Sequence, residues 1–276
     1  MAGRTRCPAC GVATIDPWPS EQQLDEAYAG EYRPAEGRFS GLGDALLRRT
    51  RATLAGRLDR IAPPGPVLDV GAGEGALLDA LHARGREALG LERSSRRPDV
   101  AEWGLDDLEG EWAAIVFWHS LEHLPDPAAA LERAGRLLAP GGVLVVAVPN
   151  SDSLQAKLFG DRWLALDPPR HLFHFTAAAL MERLRTLGLR VRRVSYARGG
   201  QVLFGWLDGL VGALPGQLSL YDAIRRPQAR FHPVGARRRL LTLLAAVLLL
   251  PVGLLASATE VWLRRGGTVY VEAVHR

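Results

Sequence analysis

Two short stretches concentrate the side chains able to move a proton or hold a metal. His119, Glu122 and His123 lie in WHSLEH, and His171 and His174 lie in RHLFH. Neutral imidazole is matched to proton abstraction near pH 7. His123 and His171 are the preferred bases, with His119 a third catalytic candidate. The same residue types also pin loops through hydrogen bonds to backbone, and that reading stands beside the first. The i, i+3, i+4 spacing of His119, Glu122 and His123 predicts one helical face carrying all three, a donor set for a divalent cation. A metal-free site is the first expectation, and imidazole donors would favour an ion softer than Mg²⁺.

The second constellation is Asp69-Val-Gly71-Ala72-Gly73-Glu-Gly75, set between an apolar run and a helical pattern. Glycines there let the backbone turn sharply and approach a ligand closely. The helix start then offers free N–H groups to a polar ligand. The spacing departs from the dinucleotide fingerprint, because position 76 is Ala. Glu92 ends the next apolar run, where a carboxylate can accept both ribose hydroxyls. An adenosine-type cofactor is the expectation. Asp69, Gly71, Ala72, Gly73 and Glu92 are its candidate contacts, joined by Trp118 and His119 at the end of a later strand.

VLDVGAGEGALLDAL followed by LERS resembles the first two motifs of the class I S-adenosylmethionine-dependent methyltransferases. FWHSLEHLPDPAAALERAGRLLAPGGVLVVAVPN resembles the later part of that domain. DRWLALDPPRHLFHFTAAALMERLRTLGL is similar to a bacterial subgroup related to the ubiquinone-biosynthesis O-methyltransferases. The resemblance covers about residues 66–198. It implies S-adenosylmethionine as cofactor, with Asp69, Gly71 and Gly73 toward its methionine part and Glu92 toward its ribose. It also implies methyl transfer to oxygen, which needs a base for the acceptor's hydroxyl. Related quinone methyltransferases place acidic and His residues around a divalent cation, but here the first such position is His119. The stretch between Glu92 and Ala113 is shorter than usual, and Ala113 or Ala114 stands where an aspartate is common. No adenine contact is therefore named.

The elements that must position these groups follow from periodicity. Strands are predicted at Val67–Val70, Glu87–Leu91, Ala113–Trp118, Val143–Val148, Leu189–Tyr196 and Thr268–Val274. Helices are predicted at Glu21–Tyr32, Gly43–Ile61, Glu74–Arg84, Pro127–Leu138 and Thr176–Leu187. Leu46, Leu47, Leu54 and Leu58 form the apolar side of the Gly43–Ile61 helix. Strands spaced by helices give an α/β, Rossmann-like, doubly wound sheet. Thr268–Val274 is expected to pair antiparallel with Leu189–Tyr196.

Residues 1–19 read as irregular. Cys7-Pro-Ala-Cys10-Gly resembles half of a zinc ribbon, and tetrahedral zinc needs two such pairs. Residues 1–38 are thus read as a remnant segment, and 39–198 with 267–276 as the catalytic domain.

Residues 199–266 are the remaining part. Leu240–Thr259 carries no charge and is long enough to cross a bilayer. Arg237–Arg239 precede it, and Arg264 and Arg265 follow. A buried core helix is the rival reading. If the last strand closes the sheet, both ends of the insertion lie on one side of the membrane. A single crossing is then excluded. Two crossings would carry Arg225, Arg226, Arg230 and Arg237–Arg239 outside, against the positive-inside tendency. An interfacial or re-entrant helical pair is the expectation, at the cytoplasmic face of the cell membrane.

The chain has a net charge of +4, and Lys157 is its one lysine. Its basic clusters border apolar segments, without the interleaved aromatics of a nucleic-acid surface. A small or lipid-linked acceptor is expected as the substrate. Two alternatives stay open: a soluble enzyme that dimerises through the apolar segment, and a non-catalytic cofactor-binding membrane module.

Overall fold

The computed structural model describes residues 3–28, 39, 41–95, 97–102, 104–198, 201–216, 218–227, 230 and 232–275. The apolar runs assemble into a seven-stranded sheet. Its parallel part is β3 (Val67–Val70), β4 (Ala88–Leu91), β5 (Val100–Ala101), β6 (Trp112–Trp118) and β7 (Leu138–Pro149). The order is β5-β4-β3-β6-β7-β10-β9, with β9 at Leu189–Ser195 and β10 at Thr268–His275. β10 runs antiparallel to both neighbours, pairing Tyr270 with Ala147 and with Ser195. The predicted closure of the sheet by the last strand holds. Gly141, at φ 74°, lets β7 begin earlier than expected, at Leu138.

Each sheet face is covered by helices at a 3.6-residue spacing. α2 (Leu42–Ile61) and α3 (Ala76–His82) bury Leu54, Ala55, Leu58, Leu77 and Leu81 against one face. α4 (Pro127–Leu137) and α6 (Ala177–Thr186) bury Leu131, Ala134, Leu180 and Leu184 against the other. Asp126 and Thr176 cap these helices by accepting from Ala129 and Ala179 N–H. The first turns of α2 overshoot the sheet, so Leu46 is 63% exposed instead of facing the core.

The N-terminal residues are not irregular. β1 (Gly3–Arg6) and β2 (Ala13–Asp16) form an antiparallel hairpin, and β2 adds β8 (Phe173–His174) to make a second, three-stranded sheet. The alternation of Ala13 and Ile15, both buried, supplies the period of two. Cys7 and Cys10 are exposed at the hairpin turn. α1 (Glu21–Tyr28) follows; the rest of the predicted Glu21–Tyr32 helix lies outside the described residues.

The insertion is helical: α7 (Gln201–Gly212), α8 (Leu220–Ile224) and α9 (Ala236–Trp262). α7 packs with α5 (Leu154–Phe159) and Trp163 in a third apolar cluster containing Phe159, Val202 and Trp206. Glu260 of α9 is fully buried there, accepting from Gln155 N–H at 2.9 Å, Gln155 Nε2 at 2.8 Å and Trp206 Nε1 at 2.9 Å.

Candidate active site

The glycine loop leaves β3 at the carboxyl edge of the sheet. Gly71, Gly73 and Gly75 have φ of 83°, 60° and 76°. A Cβ on Gly71 would meet Ser120 Cβ at 2.3 Å, so position 71 is glycine for two reasons. Gly71 and Ala72 donate to Leu91 O at 2.8 and 3.0 Å, which ties the loop to the end of β4. Glu92 stands next in the chain, and its Oε2 accepts from Gly73 N–H at 2.8 Å. Loop amides and the carboxylate thus face one cleft above β3 and β4. Asp69, near the end of β3 just before the loop, is buried. This arrangement fits an adenosine-bearing cofactor laid against the loop.

The loop after β6 carries the rim. His119 takes φ 54°, in the left-handed region, while its N–H donates to Ala147 O at 2.8 Å. Ser120 Oγ donates to Val70 O, joining the rim to the glycine loop. Sequence reasoning missed Ser120; its one signal was position, directly after a strand end. Leu121–His123 form a single 3₁₀ turn. The predicted helical face of His119, Glu122 and His123 does not form, because His119 lies before that turn in a left-handed conformation.

Glu122 is 0% exposed, and neither of its carboxylate oxygens has a hydrogen-bond partner. His119 Nδ1 lies 3.4 Å and His171 Nε2 lies 4.0 Å from Glu122 Oε1. Burial works to raise the Glu122 carboxyl; the imidazoles of His119, His171 and His123 outweigh it and hold it below the usual carboxylate range. Both ring nitrogens of His119 also lack hydrogen-bond partners. One ligand atom each from Glu122, His123 and His171 fall within 4.8 Å of one another. Among the described residues, the donor set that comes together thus has His171 in place of His119. Orphaned buried oxygens beside two imidazoles fit a divalent cation in chemistry and spacing.

Both preferred bases are oriented through Nδ1. His171 Nδ1 meets Ala165 O at 2.8 Å, and His123 Nδ1 meets Arg170 O at 3.0 Å. A carbonyl oxygen only accepts, so in the neutral ring His171 Nδ1 carries the hydrogen and Nε2 the lone pair, whereas His123 Nδ1 shares its position between the Arg170 carbonyl and the Tyr28 hydroxyl. The two rings meet edge to face, with centroids 4.6 Å apart. Asp167 Oδ2 stands 3.8 Å from His171 Nε2. His174, in β8, is buried; burial, with His171 and Arg4 nearby, lowers its pKa to about 4.

The segment bearing His171 is folded back by Leu172 N–H donating to Glu122 O at 2.9 Å. The N-terminal residues then cover it. Tyr28 Oη is 2.9 Å from His123 Nδ1, Arg170 Nη1 donates to Ala27 O at 3.3 Å, and Trp18 packs edge-on to Phe173. Arg93 pairs with Asp25 at 2.6 Å and lies over the Tyr28 ring. Trp118 faces the other side of the sheet edge, under Arg51 and beside Tyr270. It borders the rim through His119, with ring centroids 6.2 Å apart.

Residues 43–194 match the family profile described as a methyltransferase domain. The chain is 28% identical over 148 residues to the ubiquinone biosynthesis O-methyltransferase of Pseudomonas paraeruginosa, covering 45% of this chain and 60% of that one. It is 29% identical over 161 residues to the protein of that name from Xanthomonas campestris pv. campestris, covering 49% and 67%. The chain thus spans about three fifths of the length of the first of these relatives. Among solved structures, the [4+2]-cyclase SpnF superposes with a TM-score of 0.52 at 19% identity, covering 93% of this chain and 96% of that one. That last likeness concerns the fold alone.

Proposed function

Because the chain belongs to the methyltransferase-domain family, with S-adenosylmethionine as its cofactor, we propose that it methylates an oxygen of an amphiphilic acceptor presented at the cytoplasmic face of a membrane. The observation that carries this reading is Glu122: a fully buried carboxylate without hydrogen bonds, ringed by three histidines, beside the glycine loop. Such an orphan is expensive unless it serves chemistry. The names of the curated relatives favour oxygen as the acceptor atom.

The cofactor, when bound, supplies a methyl group activated on a sulfonium. Asp69, Gly71, Ala72, Gly73 and Glu92 would hold it, with His119 at the neighbouring rim; Trp118, turned to the other side of the sheet edge, would touch that end only through His119. His123 or His171 would take the acceptor's hydroxyl proton on Nε2, so that the oxygen can accept the methyl carbon as that carbon's bond to sulfur breaks and the electron pair stays with the departing thioether. Glu122 and Asp167 stabilise the imidazolium that results. Where a divalent cation participates, Glu122, His123 and His171 would hold it and it would lower the pKa of the acceptor's hydroxyl. Residues 3–28 act as a cap over the rim, and the insertion after β9 acts as the membrane-facing element.

The test supplies methyl-labelled S-adenosylmethionine to the enzyme with lipid and aqueous extracts kept separate. Label is expected in the lipid extract. Label confined to water-soluble products would replace this reading with the soluble one. His123→Asn and His171→Asn are expected to reduce turnover by about 10²–10⁴-fold between them while leaving cofactor affinity near wild type. Full activity in both variants would make the histidines structural.

A further inference from the structure

We infer that the chain seats on an anionic bilayer leaflet with α9 lying in the membrane plane, and that neither α9 nor α7 crosses the bilayer. This rests on the membrane-presented acceptor proposed above and adds the surface, the lipid class and the topology.

The apolar face comes first. α9 is the one helix among the described residues long and apolar enough to cross a membrane, and 11% of its most apolar window is buried. A core helix would be buried on most sides. Only Thr242, Gly253 and Glu260 are buried, and their spacing puts them on one stripe. The outward side presents Leu240, Leu244, Val247, Leu248 and Leu255, with Leu248 78% exposed. An open apolar groove of about 950 Å³ adjoins it, lined by Leu214, Pro215 and Leu218 on one side and Leu241, Leu244 and Leu248 on the other.

Topology comes from what holds the two ends. Glu260 fixes the C-terminal end to Gln155 and Trp206. At the other end, Arg239 donates to Ala223 O at 2.9 Å, which holds α9 to α8. The chain after α8 then returns to the catalytic domain. Arg225 forms an antiparallel bridge with Phe39, Arg226 donates to Phe39 O at 2.7 Å, and Arg226 lies 3.4 Å from Asp44 of α2. A spanning α7–α9 pair would carry Arg225 and Arg226 across about 30 Å of hydrocarbon from Asp44. These contacts require both ends of α9 on the same side as the sheet. The helix is therefore tied along the domain, with its free face outward.

Charge selects the occupant. Arg237–Arg239 and Arg264–Arg265 flank the apolar face, and Trp262, 80% exposed, sits at its end as interfacial tryptophans do. The only acid from Ala236 to Arg265 is Glu260, which is buried. A second copy packed on this face, parallel or antiparallel, would set arginines against arginines. Anionic headgroups complement them at both ends.

The experiment uses the full chain with Cys7 and Cys10 replaced by Ser and a single nitroxide label at Leu248→Cys or Pro233→Cys. Vesicles of phosphatidylcholine with or without phosphatidylglycerol are added from outside. Binding should require the anionic lipid, and Arg237→Gln/Arg238→Gln should weaken it by about 30-fold. The label at 248 should sit about 5–10 Å below the headgroups. The label at 233 should remain fully reducible by ascorbate added outside. Protection of position 233 from external ascorbate would overturn the in-plane topology while leaving a membrane-acting enzyme. Failure to bind anionic vesicles, with full transfer to a water-soluble acceptor, would overturn both readings. A stable dimer whose position 248 label is buried without lipid would assign the face to a second copy instead. Leu248→Glu should abolish vesicle binding while calorimetry still shows the wild-type cofactor affinity; loss of both would locate the helix in the core.

Discussion

Glu122 and Glu260 are both 0% exposed, yet their surroundings are opposite. Glu260, in the insertion, is met by three N–H donors from Gln155 and Trp206. Glu122, at the rim, has imidazoles at ion-pair distance and no hydrogen bond. The first carboxylate fastens one helix to another. The second is left under-satisfied at the place where a proton or cation must be accommodated. Burial alone does not separate a structural acid from a functional one; the hydrogen-bond ledger around it does.

Replacing each glutamate should break that symmetry most visibly. Glu260→Ala orphans three buried donors, and at about 1–3 kcal/mol for an unsatisfied group the loss should reach at least about 3 kcal/mol. Thermal melts should show it, with parallel loss of turnover as the insertion loosens. Glu122→Gln should leave the melting temperature within a few degrees of wild type and reduce turnover at saturating cofactor by at least tenfold. A stability loss at 122 equal to that at 260 would erase the distinction.

A smaller effect sharpens it through pH. His174 titrates at about 4 when folded, against 6.5 for the unperturbed group. The fold therefore holds the neutral form, and the unfolded chain binds the proton more readily. The His174 contribution to stability is fully present above about pH 6.5 and is lost as pH falls toward 4, by on the order of 3 kcal/mol in all. The Glu122 and Asp167 carboxyls, held low when folded, are lost only further down. Melts between pH 6.5 and 5 should slope downward in wild type and flatten in His174→Gln. An unchanged slope would place the acid sensitivity elsewhere.

The cofactor cleft should show the smallest effect. Glu92→Ala should weaken S-adenosylhomocysteine binding by about 1.5–3 kcal/mol, the value of hydrogen bonds to a charged group. Gly71→Val should do more, because its side chain collides with Ser120. Calorimetry checks both, and wild-type affinity in the double variant would remove the loop from the site.

The cleft was legible in the sequence because its parts are local. Asp69 through Gly75 is one strand-to-helix turn, and Glu92 follows the neighbouring strand. β10 was legible too, as an apolar run at the chain's end, and its pairing with β9 followed from the resemblance to the fold. The rim was legible in its residues but not in its assembly. His171 reaches Glu122 only because the chain from Asn150 to Leu172 folds back, which no periodicity announces. Tyr28 and the hairpin were missed because β8 is two residues long and pairs across most of the chain. Leu46 was misplaced because an apolar face does not tell where the sheet beneath it ends.

His119 adds a cost that the molecule carries continuously. A side chain with φ 54° sits in the left-handed region, where glycine is at ease and, among the others, asparagine, aspartate and histidine are the most often found. Gradual selection for heat tolerance alone would drift toward Gly or Asn at 119 and shed the imidazole in return for a more relaxed backbone. Replacing His119 by Gly should therefore relax the backbone and cost the rim one imidazole.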